Sequence, residues 1–139
     1  MSDDVQGVID DWFGKLQSKI NNIENIADQA VLKSALYCEQ KAKQYAQDRI
    51  YTQPIPTWKN GHPKWKRTGL YKASIGSSMN PNEKHSAILY NTVKYAPYIE
   101  YGTSRGIQGK YILNDAVFKN TDKIRKILKS YIIRAINDD

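Results

Sequence analysis

The first fifty residues place apolar side chains three and four positions apart, which is the spacing that lines one face of a helix. The stripe in residues 5–20 consists of Val5, Val8, Ile9, Trp12, Phe13, Leu16 and Ile20. Asn21-Asn22 predicts a place where this helix stops and a second one starts. The second stripe contains many small residues, namely Ala27, Ala30, Val31, Cys38, Ala42, Tyr45 and Ala46. Because small side chains let another backbone approach closely, we expect the second helix to lie across a sheet or another helix.

The pattern changes in residues 51–66, a segment that we name the arm. Three prolines exclude a helix there: Pro54, Pro56 and Pro63. Asn60-Gly61 is a strong signal for a tight turn, and Trp58 and Trp65 flank it so that they could meet across a short hairpin. We therefore expect an extended loop or a small protruding hairpin.

Residues 67–111 carry the pattern of a small sheet with loops. Short runs at 70–78 and 86–92 predict two partner strands, with a turn at 79–82 between them. Residues 93–102 are unusually aromatic, and Pro97 permits a helical turn to begin there. Two glycines in 104–110 indicate a flexible loop.

The last segment, 112–136, is predicted to be helical. Its apolar stripe consists of Leu113, Ala116, Val117, Ile124, Ile127, Leu128, Tyr131, Ile132, Ala135 and Ile136. The pattern fits either one helix over 112–136 or two helices that break at Asn120-Thr121. The chain as a whole is predicted to be a single α+β domain over 1–139, with N-terminal helices and a C-terminal helix packed on a small, mainly antiparallel sheet.

Charge is divided unevenly along the 139 residues. Residues 1–50 hold eight acids and six bases, residues 51–139 hold six acids and fifteen bases, and the whole chain has a net charge of +7. A basic C-terminal part fits an acidic partner, either nucleic acid or an acidic protein surface. One cysteine excludes an internal disulfide, no run of about 18 apolar residues is present, and the acidic start is unlike a signal peptide. We therefore expect folding in a reducing cytoplasm without a membrane anchor.

Residues typical of catalysis are few and scattered. His62 and His85 do not have the spacing of a metal pair on a helix. Cys38 lies on the small-residue face, which favours core packing over a role as nucleophile. Carboxylates are too sparse after residue 50 for a two-metal centre. We expect no catalytic activity, no metal and no cofactor.

The arm interleaves aromatic rings with cations, in the order Trp58, Lys59, Lys64, Trp65, Lys66 and Arg67. Rings stack on bases and cations neutralise phosphates, so the pattern is compatible with nucleic-acid binding. A hairpin stiffened by a tryptophan pair, or an arm that docks on a neighbouring subunit, would show the same pattern, and we favour these two interpretations. DNA binding or DNA gating by the arm remains the alternative function.

Three short elements, in this order, carry a resemblance to a known family. They are RTGLYKASI at 67–75, VKYAPYIEYGT at 93–103 and KYILNDA at 110–116, and the second is the most specific. The chain resembles the head–tail joining or tail-completion proteins of long-tailed bacteriophages and prophages, which are also described as phage morphogenesis proteins or minor tail components.

The resemblance implies a structural virion assembly protein that acts as a tail terminator or joins tail to head. Such proteins form a ring, commonly of six subunits, at the neck between the head connector and the tail tube. The implied partners are further copies of the chain, a head connector or stopper protein and the tail tube protein, with phage DNA close by and no membrane. The implied location is the host bacterial cytoplasm during assembly, and then the virion neck or tail.

The aromatic element suggests where subunits would meet. Tyrosines supply large, rigid, half-polar contacts, although they could also fill the core of a small sheet, and we expect a mixture of both roles. Glu100 is expected either to cap a backbone or to pair with a cation such as Arg67 or Arg105. The expected interface residues are Trp58, Trp65, Arg67, Tyr95, Tyr98, Glu100, Tyr101, Gly102, Thr103 and Arg105. We further expect the acidic N-terminal part of one subunit to meet the basic C-terminal part of the next.

Overall fold

The N-terminal part of the chain is one long helix. The computed structural model describes residues 2–137, and its first helix, α1, spans Ser2–Ala46 and continues into a π-helical turn at Gln47–Tyr51. The predicted break at Asn21-Asn22 is wrong. Asparagine costs a helix only about 0.7 kcal/mol relative to alanine, and the Gln17 side-chain amide donates a hydrogen bond to Asn21 Oδ1 at 2.9 Å.

The remaining elements are short apart from the last helix. They are α2 (Leu70–Ala73), β1 (Ile75–Met79), β2 (Ala87–Asn91), α3 (Ala96–Tyr101), α4 (Ile112–Phe118) and α5 (Thr121–Asn137). The long N-terminal helix, the C-terminal helices and the small antiparallel sheet confirm the predicted α+β class.

The sheet is a two-stranded antiparallel hairpin whose register runs from Ile75 opposite Asn91 to Met79 opposite Ala87. The first predicted strand starts too early, because 70–73 form the helical turn α2. Gly69 adopts a left-handed conformation (φ 77°), and this redirects the chain into α2 just before the strand.

The C-terminal half of α1 forms the wall on which the rest of the chain packs. The main buried cluster consists of Ala42, Ala46, Tyr71, Ile75, Ala96, Ile112 and Ala116. Ala30 and Cys38 are buried farther along the same helix. The predicted small-residue face is therefore confirmed, and both the hairpin and α5 lie against it.

The C-terminal segment takes the second of its two predicted forms, two helices separated at Asn120. The Asn120 side-chain amide donates to the Ala116 carbonyl at 3.0 Å and to the Tyr45 hydroxyl at 3.2 Å. This side chain therefore provides a hydrogen-bond donor for a backbone carbonyl at the end of α4, and it connects that end to α1. From that point α5 runs back along α1, since the Lys123 ammonium lies 5.9 Å from the centre of the Tyr37 ring.

The first half of α1 extends beyond the elements that cover the second half. The tip of the hairpin reaches α1 at Asp28, whose carboxylate lies 2.8 Å from His85 Nδ1. Every residue from 5 to 22 is exposed. The exposed apolar residues of this part of α1, which we name the N-terminal stripe, are Val5, Val8, Ile9, Trp12, Phe13, Leu16 and Ile20. Across residues 2–137, no helix has both the length and the apolar character needed to cross a membrane.

Candidate functional site

The aromatic element of the sequence forms a short helix with exposed rings. Tyr95 precedes α3, and Pro97 lies in the first turn of that helix, as predicted. Tyr98 and Tyr101 are 60% and 72% exposed. The Tyr95 ring stacks on the buried Tyr71 ring, with centroids 6.5 Å apart. Two of the three tyrosines therefore point into solvent, and the third lies partly against the core.

A tight turn follows α3. Gly102 has φ 84°, and a Cβ at that position would lie 2.8 Å from the Gly109 nitrogen, so only glycine fits. The Thr103 N–H donates to the Ile107 carbonyl at 2.9 Å, which closes the loop. Arg105 lies exposed within this loop. Gly102 and Thr103 thus shape the turn, while Arg105 is available at its surface.

Glu100 lies inside the subunit, at 5% exposure. Its two carboxylate oxygens accept hydrogen bonds from the Leu113 N–H at 2.8 Å and the Asn114 N–H at 3.0 Å. These N–H groups belong to the first turn of α4, so Glu100 caps that helix from the end of α3. Of the two roles expected for Glu100, backbone capping is the one observed, and the side chain is not part of the exposed surface of a single subunit.

Arg67 also serves the fold of its own subunit. Its guanidinium donates to the Tyr51 carbonyl at 2.8 Å and to the Gln53 carbonyl. These bonds join the two ends of the arm, so the arm begins and ends at one point on the body. In addition, the Tyr51 hydroxyl accepts a hydrogen bond from the Lys72 N–H at 3.1 Å.

The arm is a small hairpin. Thr57 and Pro63 form an isolated antiparallel bridge, and the Lys64 N–H donates to the Pro56 carbonyl at 2.9 Å. The two tryptophan rings do not pair within the described part of the chain. Instead the Lys64 ammonium lies over the Trp58 ring, 4.9 Å from its centre. Trp65 lines a groove that lies between the arm and the body of the subunit. Both rings are more than half exposed.

A groove of about 760 Å³ lies between the arm, α2, α3 and the loop after α3. Its lining is mostly apolar, and four large apolar side chains on it remain exposed: Trp65, Leu70, Tyr95 and Ile107. All of its charged lining residues are basic, namely Arg49, Lys66, Arg67 and Lys110. The groove was not predicted from the sequence, because its walls come from four segments that are separate along the chain. The available sequence signal was the presence of two apolar residues, Leu70 and Ile107, within polar stretches.

Tyr71 lines the groove, and its hydroxyl is enclosed by the protein. Tyr71 is 3% exposed, and its hydroxyl has no hydrogen-bond partner among the described residues. Burial, and secondarily the negative charge of Glu100, raise the pKa of Tyr71 well above its ordinary value. The hydroxyl therefore stays protonated, and the protein encloses it.

One wall of the groove is fixed by a partly buried ion pair. The Arg49 guanidinium lies 2.7 Å from Asp115 Oδ2 and also donates to the Lys110 carbonyl at 2.8 Å. Burial alone would raise the pKa of Asp115, but hydrogen bonds from Arg49 and Asn114 and the charge of Lys119 outweigh it, so the pKa is lowered. Asp115 thus neutralises the charge of Arg49. Of the four basic residues that line the groove, Arg49 and Arg67 are half-buried, and Lys66 and Lys110 are exposed.

The residues considered for catalysis lie apart from one another. Cys38 is buried in α1, and desolvation raises the pKa of its thiol. His62 lies in the arm, and His85 contacts Asp28 at the tip of the hairpin. No cluster of three or more His, Cys, Asp or Glu residues within 2–137 has the arrangement of a metal site.

Two surfaces therefore stand out in chemistry and exposure. The first is the groove with the neighbouring aromatic helix, and the second is the N-terminal stripe of α1. Both combine large exposed side chains with little catalytic chemistry, which is typical of protein–protein contact. Comparisons of the chain with protein-family models, with curated proteins and with solved structures found no match.

Proposed function

We propose that this protein is a structural virion assembly protein of a long-tailed phage or prophage, acting in head–tail joining or tail completion. One observation carries the proposal beyond the sequence resemblance. The N-terminal stripe leaves seven large apolar side chains at least 40% exposed on one helix, with Trp12 at 59% and Val8 at 71%. Monomeric proteins rarely expose a continuous apolar surface of this kind, which marks a site for another protein.

The proposed mechanism is self-association into a ring. A ring forms when one patch of a subunit contacts a different patch of the next and the rotation closes. This chain offers two chemically different patches, the N-terminal stripe and the groove beside α3. Exposed Tyr98 and Tyr101 add aromatic area next to the groove, of the type that dominates interface energetics.

The proposed location is the neck of the virion. There the ring would stand between the head connector or stopper and the tail tube, after assembly in the cytoplasm of the host bacterium. A ring of six copies follows the family that the sequence resembles. Its two faces would then contact two different proteins, while its sides contact sister copies.

Electron microscopy tests this proposal directly. Concentrated full-length protein is imaged in negative stain, alone and mixed with tails purified from the phage or prophage that encodes it. We expect rings of uniform size, or tails capped at the end that meets the head. Protein that stays monomeric by light scattering at the highest attainable concentration, and that leaves tail ends bare, would contradict the proposal.

A second candidate function is DNA binding by the arm. The observation that favours it is the exposed Trp58 ring beneath the Lys64 ammonium, with Lys59 and Lys66 exposed beside it. Such a group can stack on a base and neutralise phosphates. In a gel-shift assay with duplex DNA, this function requires binding that weakens steeply as salt rises and that is lost in the Trp58→Ala, Lys64→Ala double variant.

A further inference from the structure

Two lysines from different helices lie beside one aromatic ring. The Lys41 ammonium lies 5.8 Å from the centre of the Tyr37 ring on α1, and the Lys123 ammonium of α5 lies 5.9 Å from it. Both distances are within the range of a cation–π contact. They also place the two ammonium groups within about 12 Å of each other. Two positive charges are therefore held close together where α5 packs on α1.

Two further lysines extend this pair along the two helices. Lys33 lies four residues before Tyr37, and Lys126 lies three residues after Lys123, so each shares a side of its helix with the pair. We name Lys33, Lys41, Lys123 and Lys126 the basic seam. Lys41 is half-buried and the other three are exposed. The part of the seam on α1 is about 12 Å long at 1.5 Å per residue.

The acids of the second half of α1 face the hairpin instead of the seam. The Asp28 carboxylate lies 2.8 Å from His85 Nδ1, and Glu39 accepts a hydrogen bond from the Ser77 hydroxyl at 3.1 Å. Glu39 is two residues from Lys41, and side chains two positions apart on a helix do not face each other. Acidic and basic side chains are thus separated on this half of the helix.

The acids nearest to the other parts of the seam also have partners elsewhere. Helix α5 contains five bases and one acid, Asp122, which lies 3.7 Å from the Arg125 guanidinium. Asp48, farther along the chain from α1, shares a hollow with Lys43 and Lys72. Among the residues that the structure describes, no carboxylate lies within ion-pair distance of a lysine of the basic seam. Its four charges are therefore available to an external anion.

The chemistry of the basic seam fits a ligand with closely spaced negative charges. Protein–protein contacts are depleted of lysine and centre on large apolar or aromatic side chains. The seam surrounds one such side chain, Tyr37, which is half-buried. Duplex DNA carries one negative charge per about 1.7 Å of its axis, so several phosphates can meet the four lysines at once. Because a lysine ammonium binds phosphate as a point charge, the expected contact is with the backbone and not with base edges.

We propose that the basic seam binds the phosphate backbone of duplex DNA without sequence preference. The proposal goes beyond head–tail joining and does not depend on ring formation. It also concerns a different surface from the arm, which starts at residue 51 and carries Trp58 and Lys64.

The salt dependence of DNA binding tests the proposal. Full-length protein is titrated into a fluorescently labelled duplex of about 20 base pairs, and fluorescence anisotropy gives the affinity at several salt concentrations. The logarithm of affinity falls against the logarithm of salt with a slope of about −0.9 per neutralised phosphate, so four lysines give about −3.6. This slope corresponds to a loss of about 150-fold in affinity between about 50 and 200 mM salt. Duplexes of unrelated sequence are expected to bind equally.

Two double variants with the same change in net charge separate the seam from general attraction. Lys41→Gln with Lys123→Gln removes the pair at the Tyr37 ring, and Lys84→Gln with Lys94→Gln removes two exposed lysines outside the seam. The first variant should reduce the steepness of the slope by about 1.8 and weaken binding roughly 60-fold at about 100 mM salt. The second should leave the slope unchanged.

A third double variant covers the case in which loss of the Tyr37 contacts disturbs the fold, which circular dichroism would show. Lys33→Gln with Lys126→Gln changes two exposed lysines of the seam and should reduce the steepness of the slope by the same amount.

Three results would overturn the proposal. The first is an equal slope for the seam variants and the Lys84→Gln, Lys94→Gln control. The second is loss of binding only in the arm variant, Trp58→Ala with Lys64→Ala, which would assign DNA to the arm. The third is no binding of duplex DNA by the wild-type chain at about 50 mM salt, which would leave an acidic protein surface as the ligand that fits the seam.

Discussion

Replacement of Glu100 by alanine is expected to destabilise the subunit strongly, because the carboxylate has a purely internal role. It is 5% exposed, and it accepts two hydrogen bonds from the first turn of α4. It also connects the end of α3 to α4, so its loss would loosen the aromatic helix against the core. The substitution is therefore expected to lower the free energy of unfolding of the subunit, and to affect assembly only through that loss of stability.

The magnitude follows from the two hydrogen bonds. A hydrogen bond to a charged group contributes about 1.5–3 kcal/mol, so two would give roughly 3–6 kcal/mol. Part of this is offset because the wild-type chain must desolvate the carboxylate, which leaves about 3 kcal/mol as the expected loss for Glu100→Ala. Glu100→Gln keeps one oxygen acceptor in place and is expected to lose about half as much, roughly 1.5 kcal/mol.

Urea denaturation followed by circular dichroism measures these losses. The midpoint should fall in the order wild type, Glu100→Gln, Glu100→Ala, with an unchanged slope. For a chain of this size, a loss of about 3 kcal/mol corresponds to a fall of roughly 10 °C in Tm. Glu83→Ala removes an exposed carboxylate and is the control for net charge. An equal urea midpoint for Glu100→Ala and Glu83→Ala would contradict the capping role of the Glu100 carboxylate.

Three further predictions use the same denaturation assay. Gly102→Ala should lose about 2–3 kcal/mol, because φ is 84° there and a Cβ has no room; a stability loss below about 0.5 kcal/mol would contradict this. Ala42→Leu should lose about 1–3 kcal/mol by overpacking a fully buried site, whereas Gln44→Leu on the exposed side of α1 should change little; equal effects would contradict this. The folded pKa of Asp115 lies below its ordinary value of 3.8, so its pairing with Arg49 stabilises the fold above that pH and the stabilisation is lost as pH falls through the folded pKa. Asp115→Asn should therefore be less stable than wild type at neutral pH and approach it in acid; a constant difference would contradict this.

Local patterns in the sequence were sufficient to predict most of the helices and the hairpin. The small residues between Ala30 and Ala46 predicted a helix face on which other elements pack closely. This prediction was possible because the spacing and the size of these side chains can be read within a single helix. The short run in 86–92, with Ile88, Leu89 and Tyr90 next to one another, likewise predicted β2 from local sequence. The break near Asn120 was recognised as one of two alternatives, and a contact with Tyr45, distant in sequence, explains why it is the one adopted.

Non-local contacts account for what the sequence did not predict. Glu100 could be recognised as a cap or as an ion-pair partner, but the choice depends on α4 beginning beside it, after an intervening loop. The predicted Trp58–Trp65 pair is not formed: the Lys64 ammonium lies over the Trp58 ring, and Trp65 lines the groove. The groove depends on segments that meet only after folding, so no single stretch of sequence displays it.

The uncovered half of α1 has a consequence for the timing of assembly. Without lateral packing, a helical stretch of roughly 20 residues is held mainly by its own backbone bonds and is only marginally stable in water. Its amide protons should therefore exchange quickly in the free subunit and slowly once a partner covers it. The segment would then become fully ordered only when another subunit binds to it. This coupling would disfavour premature association of free subunits, and each incoming subunit would complete the fold of the one before it.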